Sequence, residues 1–152
     1  MAFFFYIRLW YISLMQKITV FTDGGARGNP GPSGIGAQFL DEKNVVMTEL
    51  SEYIGEATNN IAEYTAVKRA LEHMETFVAD TKAVHVLCKL DSQLVERQLK
   101  GEYQVKDQTL KTYFEEIKVL MNNYASVSFE HVKRAENEEA DRLVNEAIDA
   151  GA

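Results

Sequence analysis

Residues 22–36 read Thr22-Asp23-Gly24-Gly25-Ala26-Arg27-Gly28-Asn29-Pro30-Gly31-Pro32-Ser33-Gly34-Ile35-Gly36, and they include both prolines and six of the nine glycines of the chain. Alternating apolar residues precede them in Ile18-Thr19-Val20-Phe21, which predicts a strand that ends at Asp23. Glycine lets a backbone turn tightly and approach a ligand closely, and proline stiffens a loop. A carboxylate beside such a backbone suits a site that holds a metal ion against a phosphate, although Asp-Gly is also an ordinary turn sequence.

Two further acids lie near predicted helix starts. Glu63 is at the beginning of a segment whose apolar residues recur at helical spacing, and its alternative role is a capping box with Asn60 as the N-cap. Asp91 follows the apolar strand pattern of residues 83–90 and precedes a second helix, where the alternative is again an N-cap. Each of these acids therefore has a local structural explanation beside a functional one.

Asp141 is harder to explain by local structure alone. In a helix that begins near Asn137 it shares a face with Val144 and Ile148, and an acid on an apolar face needs a partner, with a surface position as the alternative. A sheet flanked by helices can bring all four acids to one mouth, where their repulsion raises pKa values or recruits divalent cations. Because oxygen ligands favour hard ions and no Cys/His pair has zinc spacing, we expect Mg²⁺ or Mn²⁺.

Four segments together resemble the type 1 ribonuclease H family in their order and spacing. They are TDGGARGNPGPSGIGA, TNNIAEY, LDSQLVERQ and ENEEADRL, and the resemblance covers about residues 17–147. Carried over position by position, it implies that Asp23, Glu63, Asp91 and Asp141 are the catalytic acids and the ligands of two Mg²⁺ ions, with Mn²⁺ as a substitute. The implied activity is endonucleolytic hydrolysis of the RNA strand of RNA/DNA hybrids, which leaves 5′-phosphate and 3′-hydroxyl ends.

The same resemblance implies contacts to the RNA strand of the hybrid, made partly through its 2′-hydroxyls. The predicted contacts are Gly24, Asn29, Asn59, Asn60 and Gln93. For the asparagines, turn and capping chemistry is the alternative explanation.

The sequence departs from the family pattern just before the last acid. Many members carry a histidine there in a glycine-rich loop, whereas here the loop is shortened and His131 lies within the preceding strand pattern. Arg134 is the nearest polar group able to take the place of that histidine, and we assign it as a further substrate-binding residue, with a solvated surface charge as the alternative.

A second departure concerns affinity for the duplex. Some members have a basic, tryptophan-containing protrusion, whereas residues 100–107 are few and of mixed charge. With 16 basic and 23 acidic residues, the net charge is −7. Because phosphate contacts dominate nucleic-acid affinity, these features predict weak binding with a strong salt dependence.

Length and composition predict one α/β domain, since 152 residues with 46% hydrophobic content can bury one core. Three antiparallel strands followed by two parallel strands give a mixed five-stranded sheet with helices on both faces, as the ribonuclease H-like resemblance also implies. Cys88 lies in an apolar strand pattern and predicts a buried free thiol, typical of a reducing compartment such as the cytoplasm. The predicted strands lie near residues 17–23, 34–41, 44–53, 83–90 and 126–133, and the helices near 60–77, 92–100, 107–122 and 137–149.

Residues 1–15 form an apolar leader ahead of the predicted domain at residues 16–152. The leader is interrupted by Arg8, is too short to span a membrane, and lacks the basic start and cleavage site of a signal peptide. We expect the natural start at Met15, with an interfacial anchor or packing on the domain as alternatives. The resulting prediction is a cytoplasmic monomer with no membrane association and no obligatory protein partner.

Two other functions remain open from the sequence. One is a ribonuclease H-like module that binds nucleic acid but turns over poorly, which the missing histidine and the acidic composition favour. The other is a phosphatase with Asp23 as its nucleophile. Such enzymes usually need a second acid two residues further on, and Gly25 stands at that position.

Overall fold

A mixed five-stranded sheet forms the centre of the structure, a computed structural model that describes residues 15–151. Three strands pair in antiparallel fashion, and the fourth pairs parallel with the first and the fifth. The predicted fold class is therefore confirmed. The strands are β1 (Gln16–Ala26), β2 (Gly31–Leu40), β3 (Val46–Ala57), β4 (Val84–Leu90) and β5 (Ser126–His131), in the spatial order β3-β2-β1-β4-β5.

The α-helices of the described residues match the predicted positions to within two residues. Short 3₁₀ turns at Thr81–Ala83 and Arg134–Glu136 precede β4 and the last helix. Within residues 15–151, every helix is too short or too polar to cross a membrane. The helices are α1 (Asn59–Phe77), α2 (Gln93–Leu99), α3 (Gln108–Met121) and α4 (Glu138–Gly151).

Helices α1 and α4 pack on opposite faces of the sheet. Side chains alternate between faces along a strand, so Gly24 faces α1 whereas Gly25 faces α4. The α1 face carries the main hydrophobic core, which includes Val20, Phe39, Tyr64, Leu71 and Met74. The opposite face is covered by the buried α4 residues Ala140, Leu143, Val144, Ala147 and Ile148.

The glycine-rich segment is mostly strand, which corrects the predicted loop. Strand β1 continues to Ala26, β2 begins at Gly31, and only residues 27–30 turn. A Cβ at Gly24 would lie 2.1 Å from the carbonyl oxygen of Ala62, and one at Gly36 would lie 2.3 Å from that of Ala140. These glycines therefore let α1 and α4 approach the two faces of the sheet, a packing demand that composition alone does not distinguish from a flexible loop.

Cys88 is buried in β4, as the apolar pattern predicted. Burial raises the pKa of its thiol to about 12, so the group is neutral at physiological pH. The predicted leader lies outside the described residues except for Met15, and the expectation about its start remains a prediction.

Candidate active site

Asp23 and Asp91 are brought together by the parallel pairing of β1 and β4. That pairing ends at Thr22 and Leu90, so the next residue of each strand lies beside the other. The prediction that β1 ends at Asp23 is wrong, because β1 remains paired with β2 as far as Ala26. Asp23 and Asp91 therefore meet where the parallel pairing of β1 and β4 ends, not where β1 itself ends.

The local capping explanations for Glu63 and Asp91 are wrong. Helix α1 is capped by Thr58, whose hydroxyl accepts from the amide of Ile61 at 3.2 Å. Helix α2 is capped by Ser92, which accepts from the amide of Val95 at 3.3 Å. Neither Glu63 nor Asp91 therefore caps a helix.

Three carboxylates converge at this end of the sheet. One oxygen from each of Asp23, Glu63 and Asp91 lies within 4.8 Å of the other two. Asp23 is only 7% exposed, and Glu63 Oε2 is buried without a hydrogen-bond partner. Among residues 15–151, no lysine or arginine forms an ion pair with any of the three.

This arrangement disfavours the ionised carboxylates. Burial, together with the negative charges of Asp91 and Asp141, raises the pKa of Asp23 to about 7. Burial and the Asp23 charge hold the pKa of Glu63 well above its usual range. Burial also raises the pKa of Asp91, against the opposing effect of the Arg134 guanidinium. A group of buried and half-buried acids, with Glu63 Oε2 left without a partner, fits a divalent cation bound by oxygen ligands.

Asp141 lies at the edge of the group rather than inside it. It belongs to the first turn of α4, is half-buried, and lines the same pocket as Val144 and Ile148, as its predicted helix face requires. Its carboxylate is not among the three that lie within 4.8 Å of one another. Asn145 donates from Nδ2 to the Asp141 carbonyl oxygen at 3.0 Å and lies 3.5 Å from Oδ2.

The four acids share an open pocket of about 530 Å³. Of the predicted substrate contacts, Gly24, Asn59 and Arg134 line it, whereas Asn29, Asn60 and Gln93 are exposed outside its lining. His131 ends β5 and is also exposed outside the lining. Three other polar residues line the pocket, namely Arg27, Ser92 and Asn145, and sequence reasoning gave no role to Ser92 or Asn145.

Two of the predicted contacts fasten the β1–β2 turn to α1. Asn59 Oδ1 accepts from the amide of Ala26 at 2.9 Å, and Asn29 Oδ1 accepts from the amide of Asn59 at 3.0 Å. Asn29 and Asn59 therefore have the structural role that was the alternative to substrate contact. Both side chains are exposed, and their role toward substrate remains a prediction.

Asn137 is a buried polar residue that sequence reasoning used only to mark the start of a helix. Its Nδ2 donates to the carbonyl oxygen of Thr22 at 2.9 Å, and its Oδ1 is buried without a partner. Its side chain also lowers the pKa of Asp91 through a hydrogen bond. Asn137 therefore connects the start of α4 to the backbone beside Asp23 and to Asp91. A sequence shows a polar residue at this position but not its burial.

The chain is similar to known proteins over most of its length. Residues 21–147 match the family model described as reverse transcriptase-like. The bifunctional protein Rv2228c of Mycobacterium tuberculosis is 38% identical over 90% of this chain and 37% of its own length. Ribonuclease HI of Halobacterium salinarum is 38% identical over 88% of this chain and 65% of its own length. The chain thus spans less than two thirds of these relatives.

A solved structure covers nearly the same length as this chain. LC11-RNase H1, isolated from compost, is 49% identical, with a TM-score of 0.85 over 90% of this chain and 98% of its own. The same protein has been solved in complex with an RNA/DNA hybrid, and that structure is 47% identical with a TM-score of 0.84 over 88% of this chain and 97% of its own.

Proposed function

This chain belongs to the type 1 ribonuclease H family, and on that premise we propose that it hydrolyses the RNA strand of RNA/DNA hybrids by a metal-dependent endonucleolytic reaction. The products are 5′-phosphate and 3′-hydroxyl ends. The observation that carries the proposal is the group of three acids formed by the buried Asp23 and the half-buried Glu63 and Asp91, which has no basic ion-pair partner in the described chain. A relative of this chain binds an RNA/DNA hybrid, which supports the choice of substrate.

The donor set fits Mg²⁺, with Mn²⁺ as a substitute, because it consists only of carboxylate oxygens. Asp23, Glu63 and Asp91 would hold the ions, and Asp141 would complete the site from α4. Two such ions would supply activation of the attacking water and stabilisation of the leaving oxygen for in-line displacement at phosphorus.

Other residues in and beside the pocket would position the substrate. Gly24 presents a bare backbone beside Asp23, and Asn59, held by the Asn29 and Ala26 contacts, lies at the pocket wall. We assign Gly24, Asn29, Asn59, Asn60 and Gln93 to the RNA strand, whose 2′-hydroxyls distinguish it from DNA. Arg134 places a fixed positive charge near Asp91, where it would act on the scissile phosphate.

A nucleic-acid-binding protein with weak turnover is the second candidate. The net charge of −7 opposes polyanion binding, and His131 is exposed outside the pocket lining. We favour the enzyme because the acid group itself has the chemistry for metal-assisted hydrolysis. We further assign the protein as a cytoplasmic monomer with no obligatory protein partner, and the buried free thiol of Cys88 supports a reducing compartment.

The direct test incubates the full chain with an end-labelled RNA/DNA hybrid in Mg²⁺, in Mn²⁺ and in EDTA. We expect cleavage of the RNA strand with either metal and none in EDTA. Single-stranded RNA and duplex DNA of the same sequence are the substrate controls, and product ends are assigned by their sensitivity to a phosphatase. Binding of the hybrid without cleavage in either metal would instead favour the second candidate.

A further inference from the structure

Arg27 is a basic side chain of the pocket that the proposed reaction does not use. It lies in the turn between β1 and β2, and its side chain is 47% exposed. Its Nη1 lies 2.7 Å from Asp149 Oδ1. Its Nη2 donates to Asn145 Oδ1 at 3.3 Å and to the Asn145 carbonyl oxygen at 3.5 Å. Helix α4 thus holds the guanidinium at the pocket rim.

The residues that hold Arg27 form one row along α4. Asp141, Asn145 and Asp149 are four residues apart, so they lie one above another on a helix. Asn145 accepts from Arg27 and donates to the Asp141 carbonyl oxygen. The row therefore begins at Asp141, the fourth proposed catalytic acid, and ends at Asp149, the ion-pair partner of Arg27. These contacts place the Arg27 guanidinium beside the acid pocket.

The ion pair with Asp149 is easily replaced. Asp149 is 67% exposed, and exposed ion pairs contribute little and are screened by salt. A guanidinium presents a planar set of donors that matches a phosphate in bidentate fashion. A phosphodiester that enters the pocket therefore competes with Asp149 for the guanidinium of Arg27.

We propose that Arg27 binds a backbone phosphate of the nucleic-acid duplex beside the acid pocket, and that Asp149 is a built-in competitor for the same guanidinium. This inference rests on the proposed function. It identifies one side chain that limits the affinity of an acidic protein for its polyanionic substrate.

The same helix offers a matched control pair. Arg142 and Glu146 of α4 form an ion pair of 2.8 Å, with side-chain exposures of 42% and 55%. Neither residue lines the acid pocket. Substitutions in this pair make the same changes of charge as those in the Arg27–Asp149 pair, on the same helix but away from the site.

The test compares Arg27→Ala, Asp149→Asn, Arg142→Ala and Glu146→Gln by steady-state cleavage of a labelled hybrid at several salt concentrations. For Arg27→Ala we expect KM to rise about 5–10-fold, more than kcat falls, and the slope of log(1/KM) against log[salt] to flatten by about one. For Asp149→Asn we expect KM to fall about 2–5-fold at low salt, because the competitor is removed. Both control variants should change KM by less than about twofold.

The double variant Arg27→Ala/Asp149→Asn separates competition from general charge. Because Asp149 acts through Arg27, the double variant should have the KM of Arg27→Ala alone. Equal effects of Asp149→Asn and Glu146→Gln, or an unchanged KM for Arg27→Ala, would overturn the inference while wild-type cleavage leaves the proposed function standing. A wild-type protein that does not cleave the hybrid would overturn both.

Discussion

Within residues 15–151, two groups of three carboxylates have opposite surroundings. Glu49, Glu139 and Glu146 surround the guanidinium of Arg142, each within 2.9 Å, and Glu139 and Glu146 are more than half exposed. Asp23, Glu63 and Asp91 each place an oxygen within 4.8 Å of the other two, but Asp23 is buried, the other two are half-buried, and none has a basic ion-pair partner in the described part of the chain.

The difference shows that the environment of a carboxylate group matters more than its number of charges. Each carboxylate around Arg142 has a cationic partner within the protein and is accessible to solvent, so the group needs no further ligand. The buried group leaves Glu63 Oε2 without any partner, and burial raises the pKa values of all three acids. Glu49, Glu139 and Glu146 are therefore a satisfied group, whereas Asp23, Glu63 and Asp91 are an unsatisfied group.

The largest expected effect is on activity. Asp23→Asn or Asp91→Asn should lower kcat by about 100-fold or more, since each removes a charge that the metal ions and the transition state require; this is about 2.7 kcal/mol or more. Glu139→Gln in the satisfied group should leave hybrid cleavage unchanged. The measurement is single-turnover cleavage of a labelled hybrid, with thermal melts to confirm that each variant is folded. Equal losses in the two groups would remove the distinction between them.

The sequence was sufficient to predict the unsatisfied group but not its surroundings. Asp23 and Asp91 each follow an apolar strand pattern, and adjacent parallel strands place such residues side by side. The capping alternatives could not be excluded from sequence, because Thr58 and Ser92 are equally good caps and only the observed hydrogen bonds decide. The burial of Asn137 depends on how α4 meets the sheet, which no local pattern encodes.

A second prediction concerns the stability of the metal-free protein. In the folded chain the pKa of Asp23 is raised from 3.8 to about 7, so the folded state binds more protons than the unfolded state between these values. Stability is therefore fully present below pH 4 and is lost as pH rises through about 7. Acidification from pH 8 to pH 5 in EDTA should stabilise the fold by on the order of 2 kcal/mol, or about 5 °C in Tm.

Two comparisons attribute that pH dependence to the unsatisfied group. Asp23→Asn should melt higher than wild type at pH 8 and show a flatter dependence of Tm on pH, because it carries no titrating charge. Glu146→Gln in the satisfied group should keep the wild-type dependence. A wild-type Tm in EDTA that falls steadily between pH 8 and pH 5 would contradict the predicted sign.

A third, smaller effect is expected at Asn137, which we regard as a positioning residue. Asn137→Ala removes the donor to the Thr22 carbonyl oxygen and the contact to Asp91, at a cost of roughly 1–3 kcal/mol in stability. We also expect a rise in the Mg²⁺ concentration that gives half-maximal activity. The reason is that Asn137 no longer holds Asp91 and the backbone beside Asp23 in position. Asn123→Ala, which removes an exposed hydrogen bond to Glu75, is the matched control. A destabilised Asn137→Ala with the wild-type Mg²⁺ requirement would assign a purely structural role.

The smallest effect is expected at Arg134, a basic residue in the same pocket as the unsatisfied group. Its guanidinium lines the pocket and lowers the pKa of Asp91, so it contributes charge to the group without forming an ion pair. Because the residue is exposed, Arg134→Ala should lower kcat by only about threefold to fivefold, which is less than 1 kcal/mol. The hybrid affinity measured in Ca²⁺, which we expect to support binding but not cleavage, should change less than kcat.

The pH profile tells whether Arg134 acts as a fixed charge or transfers a proton. A guanidinium does not titrate near neutral pH, so the Arg134→Ala profile should keep the wild-type shape at a lower amplitude. Arg134→Lys should recover part of kcat, because it restores the charge without the planar donors. His131→Ala should match wild type in kcat and affinity, since this side chain is exposed outside the pocket lining. Wild-type turnover in Arg134→Ala would show that this residue is only a solvated charge. The unsatisfied group would then act without the charge of Arg134.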